Sequence, residues 1–228
     1  MQPAAFVIDV FEFVLLIFSL SFHECAHAWM ASRLGDQTAR LQGRITLNPM
    51  YHIDPIGTLL IPAIAIFGHF GFLIGWAKPT PVITRNFKHI KRDDNLTTLA
   101  GPFSNLLLVA IAFSILAVVC IAVPGGRALV HANLGGVLAF EGGLQPLVLL
   151  ALLAIEVNLC LFFFNLLPIP PLDGSRVLRN VLPYNAVRVY DGINIWVSYI
   201  LMFVFGGFIL RLLLGPSLGL IFSALWSI

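Results

Sequence analysis

FVIDVFEFVLLIFSLSFHECAHAWMA (residues 6–31) is long and apolar enough to cross a bilayer, yet it carries Asp9, Glu12, His23, Glu24 and His27. A bilayer core of roughly 30 Å needs about 20 apolar residues per helix. Ionisable groups inside such a helix are costly and call for a physical reason. This run therefore predicts a membrane helix that holds polar chemistry at depth.

The rest of the chain agrees with a membrane setting. Its 228 residues are 59% hydrophobic and 11% charged, with a mean hydropathy of +0.94, too apolar for a soluble domain. Three further stretches have spanning length: 96–123, 146–167 and 193–214. A fifth, 56–77, contains Pro62, Gly68, His69, Gly71 and Gly75, which suit one continuous lipid-facing helix poorly. The apolar tail, 216–228, is too short to span and is expected to half-insert or pack back on the bundle. The expected fold is an all-α polytopic membrane protein with one domain over 1–228. It has four clear transmembrane helices, a re-entrant or fifth membrane segment within 41–87, and a small β-hairpin element.

Charge distribution orients the bundle. Arg33, Arg40, Arg44, Lys78, Arg85, Lys88, Lys91 and Arg92 lie between the first run and the 96–123 helix. A re-entrant hairpin keeps them all on the cytoplasmic side, whereas a fifth span would divide them. With the hairpin, Arg176, Arg179 and Arg188 also fall inside and the N-terminus lies outside. A cleaved signal peptide fits less well, because Asp9 and Glu12 stand where cations are expected. The net charge of +2 leaves no footprint for nucleic acid. Cys25, Cys120 and Cys160 form no CxxC and read as packing residues.

His23 and His27 are four residues apart, so a helix places them on one face where they can grip a single ion. Glu24 is close enough to reach a water there without being a ligand. Zinc suits imidazole and carboxylate, and a catalytic site offers three protein ligands with one position left open. The third ligand must come from elsewhere. Depth favours Asp173, which follows the 146–167 span in NLLPIPPLDG; Glu156 and Asp54 are the alternatives. Pro168, Pro170 and Pro171 break the helix there, and Gly174 permits a tight turn. A di-iron carboxylate bundle needs a second ExxH unit, which the chain lacks.

These residues resemble the site-2 protease family of intramembrane zinc metalloproteases. HECAH matches its HExxH, and NLLPIPPLDG matches its second signature, ending in Asp-Gly. GRITLNP (43–49), HIDPIG (52–57), GWAKP (75–79) and AGPFSN (100–105) match further blocks in the family's order, covering about 19–182. The layout is that of the compact prokaryotic branch, without an inserted PDZ module or a CBS pair. The resemblance implies one zinc held by His23, His27 and Asp173, with Glu24 as catalytic acid/base. It also implies transmembrane proteins or peptides as substrates, and a prokaryotic plasma membrane with the active site towards the cytoplasm.

Other residues are candidates for supporting roles. Asn165 and Asn105 could donate to a substrate carbonyl or steady the site, with interhelical hydrogen bonding as the plainer reading. His52 could stand behind the site or gate it, and His69 could line the hairpin pocket; a structural role is the stronger expectation for both. The stretches 41–47 and 80–87 have strand-like chemistry, and an edge strand there could pair with an unwound substrate. Two other function classes fit less well. A metal-ion transporter needs polar positions along successive helices, and these spans have few. A catalytically silent relative that binds membrane proteins has no need of an intact HExxH and Asp173.

Overall fold

The computed structural model describes residues 3–69, 75–136 and 143–228. Gly71, one of the glycines of the fifth apolar run, lies outside them. The helices are α1 (Pro3–Leu34), α2 (Thr38–Leu41), α3 (Ile61–Phe67), α4 (Ile90–Ala122), α5 (Gly126–Leu134), α6 (Gln145–Asn165), α7 (Asp173–Val181), α8 (Tyr184–Asp191) and α9 (Ile195–Ser227). Among the described residues, four segments are long and apolar enough to cross a membrane: Ala5–Leu34, Ile90–Ala122, Gln145–Asn165 and Gly206–Ser227.

α4 is the central helix, packed against α1 and α6 along its length and against α5, α7 and α9 at its flanks. Lipid tails are as apolar as leucine, so helix association here depends on close packing and interhelical hydrogen bonds. Small residues make that approach possible: Ala28 and Ala31 of α1, Ala112 of α4 and Ala151 of α6 are all buried. Leu116, Val130, Val148, Ile155 and Leu225 fill the main cluster. Large apolar side chains such as Phe18, Ile121, Phe208 and Leu220 face outward, where a bilayer would surround them.

The fifth apolar run starts with a π-helix, Pro55–Leu60, that continues into α3. Asp54 caps it, its Oδ1 accepting from the backbone N–H of Ile56 at 3.1 Å and Gly57 at 2.7 Å. Phe67 at the far end packs against Phe6 and Phe13 of α1, with ring centroids 6.0 Å apart in each case. The chain then comes back to where it began. Trp76 N–H donates to Gly57 O at 3.0 Å, and Lys78 N–H donates to His52 O at 2.8 Å. Gly57 is needed at this crossing, because a Cβ there would fall 2.3 Å from the Trp76 indole.

Two expectations are corrected. No strand is present among the described residues, so the β-hairpin expected from 41–47 and 80–87 does not form. In 80–87 a side chain takes a backbone N–H that a ladder would have used. Asp36 accepts from Ile83 N–H at 2.7 Å and from Asn86 Nδ2 at 2.8 Å, and Arg44 donates to the carbonyls of Tyr51 and Lys78. The 216–228 stretch is not a separate tail, since α9 runs on through Gly215 and Pro216. Proline is tolerated inside apolar helices where neighbouring helices accommodate the freed backbone group. Beyond it α9 packs on the bundle through Leu225, fully buried in the main cluster.

Candidate metal centre

α1 presents His23 and His27 on its inner face, as their spacing requires, with ring centroids 4.6 Å apart and planes at 84°. Their Nε2 atoms are 3.0 Å apart. Asp173 is the first residue of α7, and its Oδ2 lies 3.1 Å from His23 Nε2 and 3.2 Å from His27 Nε2. One ligand atom from each of the three residues falls within 4.8 Å of the others, a set able to hold one ion. The structure thus brings together residues 150 positions apart in sequence.

The Pro-rich turn aims the carboxylate. Gly174 packs so tightly under it that a Cβ would fall 2.1 Å from the Leu166 carbonyl oxygen. Ser175 Oγ donates to Leu172 O at 2.6 Å and closes the turn. α7 is fastened to the start of α4, where the buried Asp94 accepts from Arg176 Nη2 and from Asn180 Nδ2, each at 2.7 Å. On the opposite wall, Gly101 of α4 leaves the space that the two imidazoles occupy.

The donor set fits a cation. His27 Nδ1 is 2.8 Å from the Thr97 carbonyl oxygen, which can only accept, so Nδ1 carries the proton and Nε2 is bare. His23 Nδ1 faces Asn105 Oδ1 at 2.7 Å, with the same result. Two bare nitrogens and a carboxylate oxygen then converge on one point, and only a positive charge between them relieves their mutual repulsion.

Glu24 stands next to this cluster and outside it. Its Oε2 accepts from Thr80 N–H at 2.8 Å, and Thr80 Oγ1 donates to the Glu24 carbonyl at 3.0 Å. Thr80 lies between Pro79 and Pro81, so it supplies the single backbone N–H of that triplet. A cavity of about 540 Å³ opens in front, lined by His23, Glu24, His27, Asn165, Asp173 and Arg176 among others.

The remaining candidates are distributed differently. Asn165 lines the cavity and donates from Nδ2 to Leu161 O at 2.9 Å. Asn105 is fully buried and bonds His23 and Asn158, away from the cavity. His52 is buried in the loop before the π-helix and donates from Nε2 to Thr46 O at 2.9 Å; burial pushes its imidazole below the ordinary range. Glu156 lies near Glu12 instead of the histidines, and Asp54 is occupied as a cap. His69 approaches Asp9 of α1, at 3.7 Å. Asn158, Gly101 and Thr80 were not singled out in the sequence. Asn158 had a legible signal, a polar residue seven positions before Asn165 in the same apolar helix, whereas Thr80 had none.

The family model for Peptidase family M50 matches residues 11–206. Among curated proteins, "Putative zinc metalloprotease YwhC" of Bacillus subtilis is 43% identical over 171 residues, covering 75% of this chain and 68% of that protein. "Putative zinc metalloprotease Rip2" of Mycolicibacterium smegmatis is 31% identical over 184 residues, and its namesake in Mycobacterium tuberculosis H37Rv is 33% identical over 181, each match covering 78% of this chain. The matches span 60% of the length of these two mycobacterial relatives. No solved structure gives a significant match.

Proposed function

The chain belongs to peptidase family M50, and from that premise we propose that it is an intramembrane zinc metalloprotease that hydrolyses peptide bonds in or beside the membrane segments of other proteins. The observation that carries this reading is the convergence of His23 Nε2, His27 Nε2 and Asp173 Oδ2, with the Glu24 carboxylate alongside in a shared cavity. In this reading the three converging residues hold the ion.

When bound, zinc supplies Lewis-acid polarisation of the scissile carbonyl and of the attacking water. The chain does the rest. Thr80 N–H holds Glu24 Oε2, which leaves Oε1 to take a proton from the attacking water and deliver it to the leaving nitrogen. A helical substrate hides its amides in i to i−4 hydrogen bonds, so the segment to be cut must be extended before it enters. Asn165, in the cavity wall, is placed to meet it.

The 56–77 run serves as a re-entrant segment. Its support is the return contacts of Trp76 with Gly57 and of Lys78 with His52, which bring both ends to one level. That arrangement keeps Arg33 to Arg92 on one side, which by the positive-inside rule is the cytoplasm of a prokaryotic plasma membrane. The Glu24 level, where Thr80 docks, then lies towards that side.

The test is cleavage of a transmembrane substrate by the purified chain in detergent, with zinc content measured in parallel. Glu24→Gln is expected to keep zinc and lose cleavage, and Asp173→Ala to lose both. Cleavage by Glu24→Gln at the parent rate would remove Glu24 from its role. Full zinc occupancy with no cleavage of any transmembrane substrate would favour a silent relative.

A further inference from the structure

Asn158 is almost fully buried in the middle of α6, a helix whose other buried side chains are apolar except for Gln145 at its start. Three hydrogen bonds run from it in series. Asn158 Nδ2 donates to Ala154 O at 2.9 Å, Asn105 Nδ2 donates to Asn158 Oδ1 at 2.9 Å, and His23 Nδ1 donates to Asn105 Oδ1 at 2.7 Å. The series has only one consistent direction. A backbone carbonyl can only accept, so the Asn158 amide nitrogen must face Ala154 and its oxygen must face Asn105. Asn105 then has to present its nitrogen to Asn158 and its oxygen to His23. His23 must carry its proton on Nδ1.

We infer that Asn158 is a positioning residue for the metal centre, acting through Asn105 to keep the His23 proton on Nδ1 and the bare Nε2 turned to Asp173 and His27. The inference rests on the reading of these three residues as a metal centre. His27 needs no such device, because its Nδ1 faces the Thr97 carbonyl directly. His23 faces an amide, which can rotate by half a turn and exchange donor for acceptor. The only other acceptor recorded for Asn105 Nδ2 among the described residues is Ser19 O, at 3.5 Å, the limit of a hydrogen bond. Without Asn158, the Asn105 amide is free to present nitrogen to His23. Nδ1 then accepts, and the proton moves to Nε2, where the cation belongs.

Zinc affinity is to be measured by chelator competition on the purified full chain, for the parent, Asn158→Leu and the double variant Asn105→Asp/Asn158→Leu. Losing a partner that orients a metal-binding histidine weakens affinity by about 10- to 100-fold, and Asn158→Leu is expected near the lower end. An aspartate at 105 only accepts, so the double variant is expected to return to within about threefold of the parent. A purely structural role for Asn158 predicts no such rescue. In parallel, ¹⁵N NMR of the metal-free parent, assigned with a His23→Gln variant, is expected to show the His23 proton on Nδ1.

Unchanged affinity in Asn158→Leu, a double variant no better than the single one, or a parent His23 protonated on Nε2 each overturns the inference. The NMR measurement stands even if Asn158→Leu does not fold. A parent chain that binds no zinc removes the metal-centre reading itself, a result distinct from the other three.

Discussion

A β-carbon on Gly101 would fall 2.4 Å from Nε2 of His27, inside the space that the imidazole occupies. The glycine is therefore part of the geometry of the proposed metal centre, although it offers no ligand atom. Gly101→Ala must push both imidazoles, since the same carbon would sit 2.5 Å from His23 Nε2. Overpacking of this kind costs about 1–3 kcal/mol. The expected outcome is a chain that still inserts and folds, melts lower, and binds zinc at least about tenfold more weakly. Zinc competition with a thermal melt checks it.

Gly174 poses the same problem for the third residue of the set. A Cβ there meets the Leu166 carbonyl at 2.1 Å, a backbone atom that cannot rotate aside. Gly174→Ala is expected to displace the start of α7 and carry the Asp173 carboxylate away from the histidines. Its zinc content should fall towards that of Asp173→Ala while the helical circular dichroism stays near that of the parent. Parent-like zinc affinity in Gly174→Ala would show that the turn is not what aims Asp173.

In the proposed mechanism Glu24 has two separable jobs, and two substitutions separate them. Glutamine keeps an oxygen for Thr80 N–H and so keeps the 77–83 loop docked, but it cannot take a proton. Glu24→Gln should lose activity by about 10²- to 10⁴-fold with little change in stability. Alanine also leaves the Thr80 N–H without its partner, which costs about 1–3 kcal/mol more. Hydrogen exchange at Thr80 distinguishes them, being faster in Glu24→Ala than in Glu24→Gln.

Asp36 anchors the same loop from the other end, and it brings a pH dependence. Burial alone would raise its carboxyl, but hydrogen bonds from Thr38, Ile83 and Asn86 outweigh that and hold it below the usual range. A carboxyl lowered in the folded state contributes stability above its unfolded value, about 3.9, and that contribution is lost as pH falls through the folded value. Protection of the Ile83 amide from exchange should therefore decline in acid at pH below about 4. The Asp36→Asn variant should show weaker protection at neutral pH and no such decline.

The sequence carried the metal centre further than it carried the loops. His23 and His27 declare themselves by spacing alone, because a helix of fixed pitch turns four positions into one face. Asp173 could be ranked by depth, since the length of the 146–167 span sets the level at which the chain leaves the membrane. The strand-like chemistry of 41–47 and 80–87 misled, because pattern alone does not reveal that Asp36 would take the Ile83 N–H. Asn158 and Asn105, 53 residues apart, become partners only when α4 and α6 pack. Gly101 shows no local signal of what it makes room for.

In the proposed function, His23, His27 and Asp173 hold one zinc ion. X-ray absorption at the zinc edge of the loaded chain, compared with Asp173→Ala, tests it most directly. The expected result is one zinc per chain with two imidazole nitrogens at about 2.0–2.1 Å and carboxylate oxygen at about 2.0–2.2 Å, and loss of stoichiometric zinc from Asp173→Ala. Sulfur in the zinc shell, or an unchanged shell and occupancy in Asp173→Ala, would contradict it.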